Sequence, residues 1–264
     1  MSLITFTSDY GDTDHYVAAV KAVIYRADPQ VKVMDICHKI KHFDIAHGAF
    51  VLRSVYSEFP AGSIHLVAVD SEAYPRRLVA VKLDGHYFLG VDNGLISLLS
   101  EAEPSWAVVL EQPEPTTFAT KDVLAPAAVA LSQGVPIEEL GVELHHINRK
   151  LPRSLRANRK QINGNVVRVN HYGNLITNID RATFDALRVG RNFQILFGRE
   201  RARRIHQAYH DVDLGECVLL FNSLGLLELS INQGSAHDLL GLGYDSPVIV
   251  RFEPVEVPAE FVRQ

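Results

Sequence analysis

Three short polar clusters carry the side chains best suited to chemistry. Thr7-Ser8-Asp9-Tyr10-Gly11-Asp12 follows the apolar run Leu3 to Thr7, which reads as a strand. A carboxylate at the C-terminal end of a parallel-sheet strand stands where α/β proteins hold their ligands, and there it can accept both hydroxyls of a ribose. The same Asp-x-Gly pattern also serves as a turn or a helix N-cap. Asp92-Asn93-Gly94-Leu95 again follows a strand-like run and is open to the same two readings. Gly173-Asn174-Leu175-Ile176-Thr177-Asn178-Ile179 alternates polar and apolar residues but holds two asparagines, which strands disfavour. Of the histidines, His38, His42 and His47 crowd the start of a helix, and His206 and His210 are spaced i, i+4. None closes a three- or four-ligand set with a cysteine, so no metal is expected.

The elements that must position these clusters change character along the chain. Helical patterns over Asp14 to Arg26 and Asp44 to Glu58 alternate with strand patterns over Val31 to Ile36 and Ser63 to Val69. Asp28-Pro29 ends the first helix, because a residue before proline is pushed out of the α region. Leu78 to Leu83 and His86 to Leu89 flank Asp84-Gly85, a two-residue hairpin signal. Trp106 to Leu110 reads as a further strand, and Asp122 to Gln133 as a helix closed by Gly134. This order predicts an α/β domain over 1–150 with a mostly parallel central sheet. A basic stretch, 151–160, reads as a solvated linker. Beyond it come short strand runs at Val166 to Val169, Leu175 to Ile179, Phe193 to Phe197, Cys217 to Phe221, Leu226 to Ile231 and Val248 to Phe252, with helical periodicity nearly absent. They predict a small C-terminal β-barrel domain over 161–264.

Composition narrows the function classes. The chain has 264 residues, 47% hydrophobic and 22% charged, which is ample for two packed cores. A net charge of -5 argues against nucleic acid as the main partner, although Arg149, Lys150, Arg153, Arg156, Arg159 and Lys160 form a local basic run. No apolar run approaches the roughly 20 residues of a membrane span, and no leader pattern opens the sequence, so a cytoplasmic protein is expected. Cys37 and Cys217 stand far apart and are expected as buried small hydrophobes.

Taken in order, seven segments resemble the S-adenosylmethionine hydroxide adenosyltransferase family, which also contains fluorinating and chlorinating enzymes. They are Thr7 to Gly11 with Tyr16-Val17; Val33 to His38; Phe59 to His65; Asp92 to Leu95; Pro115 to Phe118; Gly173 to Ile179; and Asn222-Ser223 followed by Gly225. The resemblance implies a homotrimer whose sites lie between one subunit's N-terminal domain and its neighbour's C-terminal domain. It implies an adenosine compound, S-adenosylmethionine, as substrate, with no cofactor. Asp9 matches the family's ribose-binding aspartate, while Asn174 and Ser223 match positions contacting adenine or the methionine end. Phe118 falls in a further substrate-contacting motif. In the family, water or an anion attacks C5′ of the ribose and methionine leaves.

The resemblance also marks departures. Hydrolytic members place an aspartate, an arginine and a histidine around the attacking water. Asp70 and Arg77 keep the spacing of the first two, but bulkier residues, Ser71 to Pro75, replace a glycine-containing turn. The histidine position is Ala119. Thr120 follows where fluorinating relatives carry a serine hydroxyl, and it reads equally as an N-cap for the next helix. Asn170 replaces an aspartate that faces the substrate ammonium, with His171 beside it. The leading expectation is hydrolysis of S-adenosylmethionine to adenosine and methionine, with Asp70 and Arg77 positioning the water. The alternatives are a non-catalytic binder of adenosine compounds and a halide-using enzyme acting through Thr120.

Overall fold

The computed structural model describes residues 3–71, 77–112 and 115–253. The chain divides into two compact units, Met1–Pro152 and Arg153–Gln264. In the first, β1 (Leu3–Ser8), β2 (Lys32–Cys37), β3 (Ile64–Ala68), β4 (Leu78–Leu83), β5 (His86–Val91), β6 (Trp106–Leu110) and β7 (Gly141–Glu143) form one sheet in the order β2-β1-β3-β5-β4-β6-β7. The β2-β1, β1-β3 and β3-β5 pairings are parallel and the other three are antiparallel. The expected mostly parallel sheet is therefore corrected to a mixed one, for a local reason. Asp84 and Gly85 both take positive φ, 50° and 78°, as a type I′ hairpin demands. That turn reverses β4 against β5, and β4 then neighbours β6 as well.

Three helices cover this sheet: α1 (Tyr16–Ala27), α2 (Ile45–Arg53) and α3 (Ala125–Ser132). Successive strand residues point to opposite faces. Ile4, Phe6 and Leu66 accordingly share one core with Val20 and Ile24 of α1 and Ala128 of α3, whereas Val67, Val81 and Phe88 share another with Leu52 of α2. Each fully buried Val, Leu, Ile or Phe among them contributes about 1.5–3 kcal/mol. The helix expected over Asp44 to Glu58 is divided. Asp44 caps α2 by accepting the His47 amide at 2.9 Å, but Ser54 Oγ bonds back to the Phe50 carbonyl at 2.7 Å, and only a 3₁₀ turn, Tyr56–Glu58, follows. A π-helical turn, Thr120–Leu124, leads into α3.

The second unit contains β8 (Arg156–Ala157), β9 (Gln161–Val169), β10 (Leu175–Asp180), β11 (Phe193–Phe197), β12 (Glu200–Ala202), β13 (Cys217–Phe221), β14 (Leu226–Ile231) and β15 (Pro247–Phe252). Seven of them follow the order β12-β11-β15-β9-β10-β14-β13, every pairing antiparallel, and β8 adds to β9. Four residues past β12, His206 bridges Leu220 of β13, so the two edges of the sheet nearly meet in a barrel. Its interior holds Ile162, Val166, Ile179, Ile195, Leu229 and Val250.

Two helices that the sequence pattern had not suggested cover this unit, α4 (Arg181–Arg188) and α5 (Ala236–Leu240). Asp180 caps α4 through the Thr183 amide at 2.7 Å, and Phe184 is buried in the core of this unit beside Phe193. Within the expected linker, Arg156 and Ala157 pair with β9. Both cysteines are free thiols and half-buried rather than buried. No described helix is long and apolar enough to cross a membrane.

Candidate active site

Asp9 stands immediately after β1, and its amide extends the ladder to the Ala68 carbonyl of β3 at 3.1 Å. Its side chain is buried, and Oδ2 accepts the amides of Phe43 at 3.0 Å and Asp70 at 3.2 Å. Both donors are non-glycine residues in the left-handed region, with φ of 61° and 49°. Such conformations cost of order 1–3 kcal/mol each and concentrate at functional sites. Oδ1 has no hydrogen-bond partner among the described residues. His42 Nδ1 donates to the Asp9 carbonyl at 3.1 Å, and the Ser8 hydroxyl bonds His38 Nδ1 at 2.7 Å, so the backbone around Asp9 is fixed from both sides.

Asp70 follows β3 closely. Burial, followed by the Asp9 charge, pushes its carboxyl pKa up, and the Lys150 ammonium opposes both. The Asp92-Asn93-Gly94-Leu95 segment is the clamp that holds this corner. Asn93 Nδ2 donates to the Val69 carbonyl at 2.9 Å, and its Oδ1 accepts the Leu95 amide at 3.1 Å. Asp92 Oδ2 pairs with the Arg77 guanidinium, Nε at 2.9 Å, while Oδ1 accepts the Asn148 amide at 2.7 Å. Gly94 has φ of 90°, and a Cβ there would fall 2.6 Å from Lys150 Cγ. The lysine stem therefore lies across the glycine, and the basic run contributes a residue to the site rather than only to a solvated face. Of the altered turn, Ser71 to Pro75, the stretch after Ser71 lies outside the described residues.

Tyr10 joins the third strand end. Its hydroxyl lies 2.8 Å from Thr120 Oγ1 and 3.2 Å from Ser71 Oγ. Its ring meets Tyr16 at 5.7 Å and Phe118 at 5.8 Å between centroids, giving an aromatic wall. The N-cap reading of Thr120 is corrected. Its hydroxyl is spent on Tyr10, and Thr116 takes the turn instead, accepting the Phe118 amide at 2.9 Å and donating to Asp122 at 2.5 Å. Ala119 is buried within the core beneath α3. Asp9, Asp70, Phe118 and Thr120 are thus brought together, with Arg77 tethered to the same corner through Asp92. Sequence reasoning missed Tyr10 as the hydroxyl bridge; its signal was its place directly after Asp9.

In the second unit Asn170 Oδ1 accepts the amides of Tyr172 at 2.9 Å and Asn174 at 3.0 Å, closing the turn before β10. Asn174 is buried and its Nδ2 donates to Glu228 Oε1 at 2.8 Å. The same oxygen accepts the hydroxyls of Tyr209 at 2.8 Å and Ser230 at 2.9 Å, and Oε2 accepts Asn222 Nδ2 at 3.0 Å. Burial, and then Glu228, push the Tyr209 pKa up to about 12. Asn222 Oδ1 accepts the amides of Leu224 and Leu226, which shapes the turn bearing exposed Ser223. Glu228 escaped the sequence reading, although an acid inside the apolar run Leu226 to Ile231 was a visible signal. Among the described residues, no group of three or more His, Cys, Asp or Glu could hold a metal ion.

Comparison with known proteins agrees in both units. The SAM hydroxide adenosyltransferase N-terminal domain matches residues 4–141, and the C-terminal domain of the same family matches residues 164–249. The (R)-S-adenosyl-L-methionine hydrolase of Thermus thermophilus is 33% identical over 263 residues, spanning 94% of this chain and 99% of the relative. That of Salinispora tropica is 30% identical over 250 residues, spanning 90% and 94%. A crystal structure of an uncharacterized conserved protein from Thermotoga maritima superposes with a TM-score of 0.87 at 29% identity, covering 94% of this chain and 100% of that one. The chain belongs to the SAM hydroxide adenosyltransferase family.

Proposed function

We propose that this protein hydrolyses S-adenosyl-L-methionine to adenosine and L-methionine. The observation that carries the reading is the convergence, at the ends of adjacent strands, of the buried Asp9 carboxylate, Asp70 and the Tyr10–Thr120 hydroxyl pair. The water oxygen bonds to C5′ while the C5′–S bond breaks and its electron pair stays on sulfur. The sulfonium becomes the neutral thioether of methionine, and the water sheds one proton. Asp70, kept basic by burial and the Asp9 charge, accepts that proton. Because the sulfonium is already a good leaving group, the protein needs mainly to hold an in-line geometry.

Asp9 Oδ2 is occupied by two amides, so the ribose hydroxyls fall to Oδ1, a narrower contact than a carboxylate sharing both oxygens. Tyr10, Tyr16 and Phe118 supply an apolar wall, Thr120 positions Tyr10, and Arg77 orients the water at the Asp70 corner. Asn174 and the Ser223 turn hold the remainder of the substrate. The working form is a cytoplasmic homotrimer in which a neighbouring chain completes each site. Incubating the pure protein with the substrate and separating the products by chromatography tests the reaction. Equal adenosine and methionine above the enzyme-free rate is expected, and binding without turnover would make the protein a binder instead. Light scattering showing a strict monomer at micromolar concentration would overturn the trimer.

A further inference from the structure

Ser8, His38 and Asp35 carry the side chains of a nucleophilic triad, but Ser8 is fully buried and cannot meet a substrate. The ring is also turned the other way round. The serine hydroxyl lies 2.7 Å from His38 Nδ1, and Asp35 Oδ1 lies 3.1 Å from Nε2, off the line of a ring N–H. Lys21 pairs with the other oxygen, Asp35 Oδ2, at 2.5 Å. Burial raises the Asp35 carboxyl, but the Lys21 and His38 contacts outweigh it and hold its pKa below the usual value. An ionised carboxylate has no proton to give. A bare Nε2 lone pair would face that negative charge, so the neutral imidazole is expected to carry its proton on Nε2. Nδ1 is then an acceptor and the Ser8 hydroxyl must donate to it, which leaves a serine lone pair for the Tyr10 amide, 3.4 Å away. The next amide, that of Gly11, donates to the His38 carbonyl at 2.7 Å.

We infer that Asp35 and His38 are positioning residues: acting through Ser8, they fix the direction of a hydrogen-bond chain that holds the Asp9–Tyr10 turn in place for the nucleoside. The inference rests on the adenosine reading above and adds a control of that site from the edge strand β2. Asp9 and Tyr10 carry the carboxylate assigned to the ribose and one ring of the apolar wall, so freeing the Tyr10 amide loosens both. One neutral hydrogen bond lost there corresponds to about 2- to 10-fold in affinity.

The test reads the His38 ring nitrogens by NMR and adenosine binding by calorimetry, both on the full chain. In the wild type the neutral His38 ring is expected to carry its proton on Nε2. Asp35→Ala should let that proton move to Nδ1 and weaken adenosine by about 2- to 10-fold. Ser8→Ala should weaken adenosine as much while the proton stays on Nε2. Because the chain acts as one unit, the double variant should lose no more than the larger single loss. A merely structural role would lower Tm in both variants and leave adenosine affinity intact, which would overturn the inference, as would losses that add. A wild-type proton on Nδ1 would overturn it too, without needing any variant to fold. Absence of adenosine binding would instead remove the functional reading on which the inference stands.

Discussion

Asp9 and Glu228 are both buried carboxylates without a cationic partner among the described residues, and they are held in different ways. In the first unit the holders are backbone amides of Phe43 and Asp70, each placed by a left-handed residue, with one carboxylate oxygen left over and a second carboxylate, Asp70, close by. In the second unit the holders are four side chains that fill Glu228. Strand ends bring backbone and charge together at a cost in stability, which suits reacting groups. A barrel wall lets side chains satisfy one another, which suits a rigid recognition surface.

If that contrast is right, the largest effect should come from Asp70→Asn, lowering turnover by about 10²- to 10⁴-fold, as steady-state kinetics would read. The sign of the stability effect is opposite. The Asp70 pKa is raised in the folded protein, so its ionised form costs stability above that pKa, and the cost disappears as pH falls through it. Asp70→Asn should therefore leave Tm at neutral pH unchanged or higher. For the same reason wild-type turnover should fall on the acid side at a pH above the ordinary carboxylate value. A clear drop in Tm with turnover intact would erase the contrast.

Asp9→Ala comes next. It removes the acceptor for the Phe43 and Asp70 amides and the ribose contact, so adenosine affinity should fall about 100-fold and stability by about 1–3 kcal/mol. Calorimetry and denaturant unfolding measure the two separately. The first unit should also be the more acid-sensitive. His65 is fully buried, stacked on Phe88 and bonded to Thr5 Oγ1 at 2.7 Å, with its pKa lowered to about 3 by burial and then by His86. Below about pH 6.5 the unfolded chain takes a proton that the folded chain refuses until about pH 3, so stability falls by roughly 1.4 kcal/mol per pH unit in that window. His65→Gln should flatten that slope in pH-dependent unfolding. Tyr209→Phe is the smallest change, about 1 kcal/mol of stability by the same unfolding measurement, because Glu228 keeps three donors.

Much of this was legible in the sequence wherever a local rule decided the outcome. The Asp84-Gly85 hairpin, the strands Phe193–Phe197 and Leu226–Ile231 and the place of Asp9 after β1 all follow from turn chemistry and apolar patterning. The sheet's mixed character did not, because strand order depends on which neighbour β4 meets after its turn. Helix α4 was hidden because only Phe184 and Leu187 face the core among polar residues, and the Asp180-to-Thr183 cap was its remaining signal. The site was legible as motifs but not as bonds. Nothing in the spacing of Asp9, Asp70 and Asn93 says that the first accepts the second's amide while the third pins the carbonyl ahead of it.

The contrast comes down to whether the first unit's carboxylates direct water to C5′. Turnover of S-adenosyl-L-methionine in ¹⁸O-enriched water, with mass spectrometry of the products, reads this directly. One ¹⁸O atom in the 5′-hydroxyl of adenosine and none in methionine is the predicted result. Adenosine formed without the label, or no adenosine above the enzyme-free rate, would contradict it.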